Sequence, residues 1–259
     1  MILEGKTVVV SGVGGGLGRE VARLALRDGA QVVLAARTGE VLEKTAAELD
    51  PSGDRVAWAR TDITVPEDAE ALVGVAVKRF GRVDAMVQVA AYENVFGGLQ
   101  DADFENWRRA FETNVLGSMT LMRPVATAMK QAGGGSIVLV GSQSMYQPQL
   151  PQAGYAASKG ALLSAMYYLT EELGPDKIRV NMVVPSWMWG PPVEAFVKFR
   201  AKSQDVAEQA IVDEITGRIP LGSIVPDEEV AEAAVFLMSD RARCITGQTL
   251  LVNGGEMMR

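Results

Sequence analysis

Seven short runs rich in Val, Ile, Leu and Ala recur along the chain, with longer amphipathic stretches between them. The runs are Thr7–Val10, Gln31–Ala36, Arg55–Arg60, Ala85–Val89, Ser136–Val140, Arg179–Val184 and Thr249–Val252. Near-continuous apolarity over so few residues suits strands covered on both faces, the condition met in a parallel sheet. The intervening stretches Leu17–Arg27, Gly39–Leu49, Pro66–Phe80, Phe104–Gln131, Tyr155–Leu173 and Asp227–Met238 carry helical spacing. The first of them stops at Asp28-Gly29, a glycine terminator. Strand–helix alternation predicts an α/β fold: a doubly wound sheet with right-handed crossovers and helices on both faces. No Pro/Ser-rich linker divides the 259 residues, so one domain is expected.

The segment Pro191–Gly222 breaks this rhythm. Its spacing predicts partial helix around Val193–Ile215, and two roles stay open. It is either a packing insertion or a substrate-binding flap at the carboxyl edge of the sheet.

Composition removes whole classes of chemistry. The chain has no histidine, which excludes Ser–His triads, histidine acid–base catalysis and most zinc sites, so no metal is expected. Its single cysteine, Cys244, rules out an internal disulfide and fits a cytoplasmic protein. A net charge of −7 disfavours nucleic acid and anionic membrane as partners. No apolar run approaches a membrane span, and the first residues do not resemble a secretory signal.

The first predicted strand runs into Ser11-Gly-Val-Gly-Gly-Gly-Leu-Gly18, and a helix follows. Such a corner aims backbone N–H groups and the positive end of a helix at an anion above the turn. A dinucleotide pyrophosphate needs close backbone approach there. No Lys-Ser/Thr pair follows, which argues against a nucleoside-triphosphate loop.

Ser11-Gly12-x-x-x-Gly16-x-Gly18 resembles the signature of the short-chain dehydrogenase/reductase family, and the likeness extends from Lys6 to Gly255. The resemblance implies a seven-stranded parallel sheet in the order 3-2-1-4-5-6-7, with a nicotinamide cofactor along its carboxyl edge. It assigns Ser11, Gly12, Gly16, Leu17, Gly18 and Ala90 to the cofactor. By the same comparison Asp62, in Thr61-Asp62-Ile63, meets the adenine with Ile63 beside it, and Val184 and Pro185 lie next to the nicotinamide. The second strand ends Ala36-Arg37, where an acid would select NAD. Arg37 instead offers a charged fork for a 2′-phosphate, so NADP(H) is favoured, with NAD(H) as the alternative.

Tyr155-Ala-Ala-Ser-Lys159 places a phenol and an amine one helical turn apart. A lysine ammonium at about 4 Å, in an effective dielectric of ~20, would favour phenolate by roughly 4 kcal/mol before desolvation, or up to about three pKa units. Ser142, thirteen positions before Tyr155, has the spacing of the family's catalytic serine, which donates to a substrate oxygen gaining charge. Asn114 matches the family asparagine that holds a helix distortion and a water relay near the lysine. The implied reaction is reversible hydride transfer between nicotinamide and a ketone or secondary alcohol. Tyr155 is its acid–base group, Lys159 lowers the phenol's pKa and grips the nicotinamide ribose, and Ser142 positions the oxygen.

Three departures from the family pattern stand out. Gln88-Val89-Ala90-Ala91 replaces Asn-Asn-Ala-Gly, Pro185-Ser186 replaces Pro-Gly, and Gly190 stands where a threonine is usual. Trp187 and Trp189, with Tyr92, Phe96 and Met145, suggest an apolar wall for a bulky substrate, or equally a packing surface. Two alternatives remain beside the carbonyl reductase: a 3-oxoacyl-carrier-protein reductase and a non-catalytic nicotinamide-binding regulatory module. The resemblance also implies a homotetramer or homodimer built on Phe104–Gln131 and Tyr155–Leu173.

Overall fold

A computed structural model describes residues 1–258. Each apolar run forms a strand: β1 (Thr7–Ser11), β2 (Gln31–Ala36), β3 (Val56–Arg60), β4 (Ala85–Gln88), β5 (Gly135–Val140) and β6 (Ile178–Pro185). Two two-residue strands, β7 (Met188–Trp189) and β8 (Val225–Pro226), precede the last one, β9 (Thr249–Val252). The main sheet is parallel throughout and ordered β3-β2-β1-β4-β5-β6-β9, the expected order with β9 as the seventh strand.

Helices α1 (Leu17–Arg27), α2 (Gly39–Leu49) and α3 (Pro66–Phe80) fall where the apolar spacing put them. The long stretch Phe104–Gln131 is not one uniform helix. It divides into α4 (Phe104–Phe111), a π-helical turn (Glu112–Gly117) and α5 (Ser118–Gln131). Helix α6 (Ala153–Leu173) follows β5, and α9 (Asp227–Met238) precedes β9. The helices cover both faces of the sheet with two apolar layers. One contains Val8, Val10, Val32 and Leu34 against Val21, Leu24 and Val235. The other contains Val9, Val33, Met86 and Ile137 against Leu72, Leu121 and Leu162. Alternate residues of β1 and β2 thus enter opposite layers, which fixes their register.

The segment after β6 forms two helices, α7 (Pro191–Gln204) and α8 (Glu208–Thr216). They close on a small core of their own: Val197, Ala201, Ile211, Ile215, Ile219 and Ile224. The β7–β8 pair, Met188 with Val225 and Trp189 with Pro226, ties the two ends of this excursion together. Among the described residues no helix is long and apolar enough to cross a membrane. Nor does any group of three or more His, Cys, Asp or Glu side chains there form a metal-binding cluster.

Candidate active site

The strands of a parallel sheet end together, so the loops at their carboxyl edge converge on one crevice. Here that crevice is a cleft of about 1420 Å³, lined by the glycine turn, the ends of β2 through β6, the start of α6, and α7.

The glycines of the turn have distinct reasons to be there. Gly12 takes φ +78°, and a Cβ on it would lie 2.3 Å from the Ala90 nitrogen. A Cβ on Gly18 would lie 2.5 Å from the Gly12 carbonyl oxygen, and one on Gly16 would meet the Asp227 carboxylate at 2.9 Å. These three let the turn pack on itself, on β4's loop and on α9. Gly14 and Gly15, which the signature leaves unspecified, line the cleft with nothing within 4 Å of where a Cβ would be. Helix α1 starts directly after Gly16, which offers no capping side chain, so its first N–H groups can serve an acceptor in the cleft. This open, donor-rich cradle fits a dinucleotide pyrophosphate.

The substitution at Gln88 is compensated by its length. Ser11 Oγ donates to Gln88 Oε1, while Gln88 Nε2 donates to the Ala90 carbonyl and to Ser118 Oγ, both at 3.2 Å. Ser118 Oγ in turn donates to the Asn114 carbonyl at 2.8 Å. One amide therefore braces β1, the loop after β4 and the π turn.

Asn114 lies in the π turn and is 1% exposed. Its side chain accepts from the Tyr92 N–H at 2.7 Å and donates to the Tyr92 carbonyl and to Ser158 Oγ, both at 2.9 Å. It thus holds the loop after β4 against α6 from outside the cleft lining.

Ser142 directly follows β5, and Tyr155 and Lys159 lie on α6; all three line the cleft. Ser142 Oγ is 2.8 Å from Ser144 Oγ and also hydrogen-bonds the Tyr155 phenol. Lys159 Nζ donates to the Val140 carbonyl at 2.8 Å and stands 5.7 Å from the centroid of the Tyr155 ring. The expected lowering of the phenol's pKa is absent. Burial pushes Tyr155 above its ordinary value, the Glu93 carboxylate adds to the rise, and the Ser142 hydrogen bond only offsets part of it. Burial likewise pulls Lys159 down to about 8, against the attraction of Glu93. The amine stays charged at neutral pH, and it is the phenol's own desolvation that dominates its titration.

Gly12, Gly16, Leu17, Gly18, Arg37, Asp62, Ile63, Ala90, Tyr92 and Pro185 also line the cleft. Asp62 is held ionised by hydrogen bonds from Thr64, aided by the charges of Arg37 and Arg60. Besides Asn114, four expected residues fall outside the lining. Ser11 is fully buried on Gln88, and Val184 is fully buried in the core. Met145 packs against the same core rather than the crevice. Trp189 is 42% exposed, because the chain bends at Ser186–Trp187 and the β7–β8 pairing carries it away.

Several lining residues were not anticipated. Trp187 packs on Phe196, ring centroids 5.2 Å apart, and Phe196, Phe199, Leu150 and Pro151 extend this apolar wall. Glu93, Ser144, Gln149 and Asp227 supply polar groups. Phe196 and Phe199, three apart in a helical stretch, carried a readable signal; Glu93 carried none, since only the tertiary fold brings it to the phenol.

The chain matches, over residues 12–256, a family model described as enoyl-(acyl carrier protein) reductase. It is 33% identical over 258 residues to dehydrogenase/reductase SDR family member 4 of Sus scrofa, covering 99% of this chain and 89% of that protein. It is 34% identical to the L-rhamnose 1-dehydrogenase (NAD(P)(+)) of Azotobacter vinelandii, with 98% of each chain covered. A crystal structure of a short-chain dehydrogenase/reductase (glucose/ribitol dehydrogenase) from Brucella melitensis superposes with TM-score 0.88 at 32% identity, covering 99% and 98%. The actinorhodin polyketide ketoreductase with NADPH gives TM-score 0.89 at 32% identity, covering 97% of both chains. With the sheet order, the glycine turn and the Ser-Tyr-Lys cluster in place, the chain belongs to the short-chain dehydrogenase/reductase family of oxidoreductases.

Proposed function

We propose that this protein is an NADP(H)-dependent carbonyl reductase that interconverts a ketone and a secondary alcohol on a bulky, largely apolar substrate. The observation that carries the reading is the meeting of Ser142, Tyr155 and Lys159 in the cleft that begins at the open glycine cradle. When bound, the nicotinamide supplies or takes up the hydride. Gly14, Gly15 and the first turn of α1 hold the pyrophosphate, Asp62 faces the adenine side, and Arg37 pairs with a 2′-phosphate. Arg37 is exposed on the cleft and makes no ion pair among the described residues, which supports that choice of cofactor.

Ser142 donates to the substrate oxygen and Tyr155 passes it a proton. A phenol held protonated by burial suits the acid of carbonyl reduction better than the base of alcohol oxidation. Lys159 is a positioning residue: its Nζ, fixed on the Val140 carbonyl, stands under the phenol ring and beside the path of the cofactor. Asn114 keeps α6 and the Tyr92 loop in register. Trp187, Phe196 and Phe199 supply the apolar wall, with α7 as a flap over the substrate. Phe104, Leu116, Tyr167 and Tyr168 are exposed on α4, the π turn and α6, a surface that a homotetramer would cover.

Steady-state assays of cyclic, aliphatic and acyl-thioester ketones with NADPH and NADH test the proposal. Turnover of cyclic or aromatic ketones with NADPH is expected. Absence of turnover on every ketone, with both cofactors bound, would contradict it.

A further inference from the structure

Among the described residues, three buried side-chain polar atoms have no partner: Gln143 Nε2, Glu256 Oε2 and Ser186 Oγ. Of these residues, only Ser186 lines the cleft. It directly follows Pro185 at the carboxyl end of β6, where the chain bends toward β7. A buried hydroxyl without a partner lowers stability, and a fold that keeps one in a cleft wall leaves it for something the protein alone does not provide.

The layout of the cleft narrows what that is. A dinucleotide with its pyrophosphate on Gly14 and Gly15 must cross the ends of β1, β4 and β5 to reach the Tyr155 hydroxyl. Its far ring then comes to rest between Tyr155 and the start of the segment after β6, where Pro185 and Ser186 form the wall. The nicotinamide carries an exocyclic amide with both donors and an acceptor, and a hydroxyl can meet either. Nearby Gly190 has no side chain to offer. A serine moves between staggered rotamers at little cost, so Oγ can turn from its sheltered position to the ligand.

We propose that Ser186 binds the exocyclic amide of the nicotinamide and so fixes which face of the ring is turned toward Tyr155. The inference rests on the reading that the cleft holds a nicotinamide dinucleotide. The measurement is calorimetric titration of wild type and Ser186→Ala with NADPH, NADH and the matching ADP-ribose fragments that lack the nicotinamide, alongside melting of the ligand-free proteins.

For the dinucleotide that binds more tightly, Ser186→Ala should lose about tenfold in affinity, equivalent to about 1.4 kcal/mol. Its affinity for the fragment should be unchanged, and the ligand-free variant should melt no lower than wild type. An unchanged dinucleotide affinity overturns the inference and leaves the oxidoreductase reading standing. Equal losses for dinucleotide and fragment, or a lower melting temperature, overturn it as well by placing the hydroxyl's role in the fold. A wild type that binds no dinucleotide removes both.

Discussion

Replacing Lys159 with methionine keeps the unbranched apolar stem, one atom shorter, and removes its charge. The amine is 3% exposed, and burial brings it from its ordinary 10.5 to about 8. At neutral pH the folded state therefore holds a charge it disfavours, at a cost on the order of 3 kcal/mol. The sign follows from proton binding. Between the folded value near 8 and the unfolded value of 10.5, the unfolded chain binds more protons, so stability rises with pH. From pH 7 to pH 9.5 that gain is about 2 kcal/mol. Tyr155 acts oppositely only above its unfolded value of about 10, because its folded pKa is raised and stability is lost beyond that point. The methionine also forfeits the bond to the Val140 carbonyl, which returns about 1 kcal/mol of the benefit. Lys159→Met should then be more stable than wild type by about 2 kcal/mol at pH 7 and show no gain on raising the pH. Urea unfolding of both proteins at pH 7 and pH 9.5 reads this directly, since groups common to both cancel. Parallel pH dependences would refute the claim that the fold strains to keep this amine charged.

Two further substitutions test the cofactor half of the cleft. Gly12→Ala forces a positive-φ alanine and a Cβ 2.3 Å from the Ala90 nitrogen, so thermal unfolding should show a loss of roughly 2–5 kcal/mol. Arg37→Ala should weaken NADPH binding by about tenfold or more and leave NADH within about twofold, as read by fluorescence titration; equal losses for both would deny the arginine a role at the 2′-phosphate.

Much of the fold was legible because buried parallel strands and amphipathic helices write themselves as periodicity. Leu17–Arg27 and Pro66–Phe80 begin and end where glycine and proline put them. The break in Phe104–Gln131 was signalled only by the resemblance at Asn114; local spacing did not show its form, since a π turn inserts an extra residue without interrupting the helix, and Gly117 at its end does not stop the chain from continuing into α5. The side chains proposed to react were readable through the family resemblance, because Ser142, Tyr155 and Lys159 sit at fixed distances along a strand end and one helix. Orientation was not. Ser11 and Val184 are next to cleft residues in sequence, yet their side chains enter the core, because successive residues of a strand face opposite ways. The energetics of the Tyr155–Lys159 pair were also misjudged from spacing, as helical proximity gives the attraction but not the desolvation that outweighs it.

The most direct test of the proposed chemistry pairs Tyr155→Phe with wild type. Cofactor affinity is measured by fluorescence, and turnover by NADPH oxidation with a ketone that wild type reduces. The variant should bind the cofactor as wild type does and retain less than about a hundredth of its turnover. Turnover equal to wild type, with the cofactor bound, would show that the proton reaches the substrate from another group.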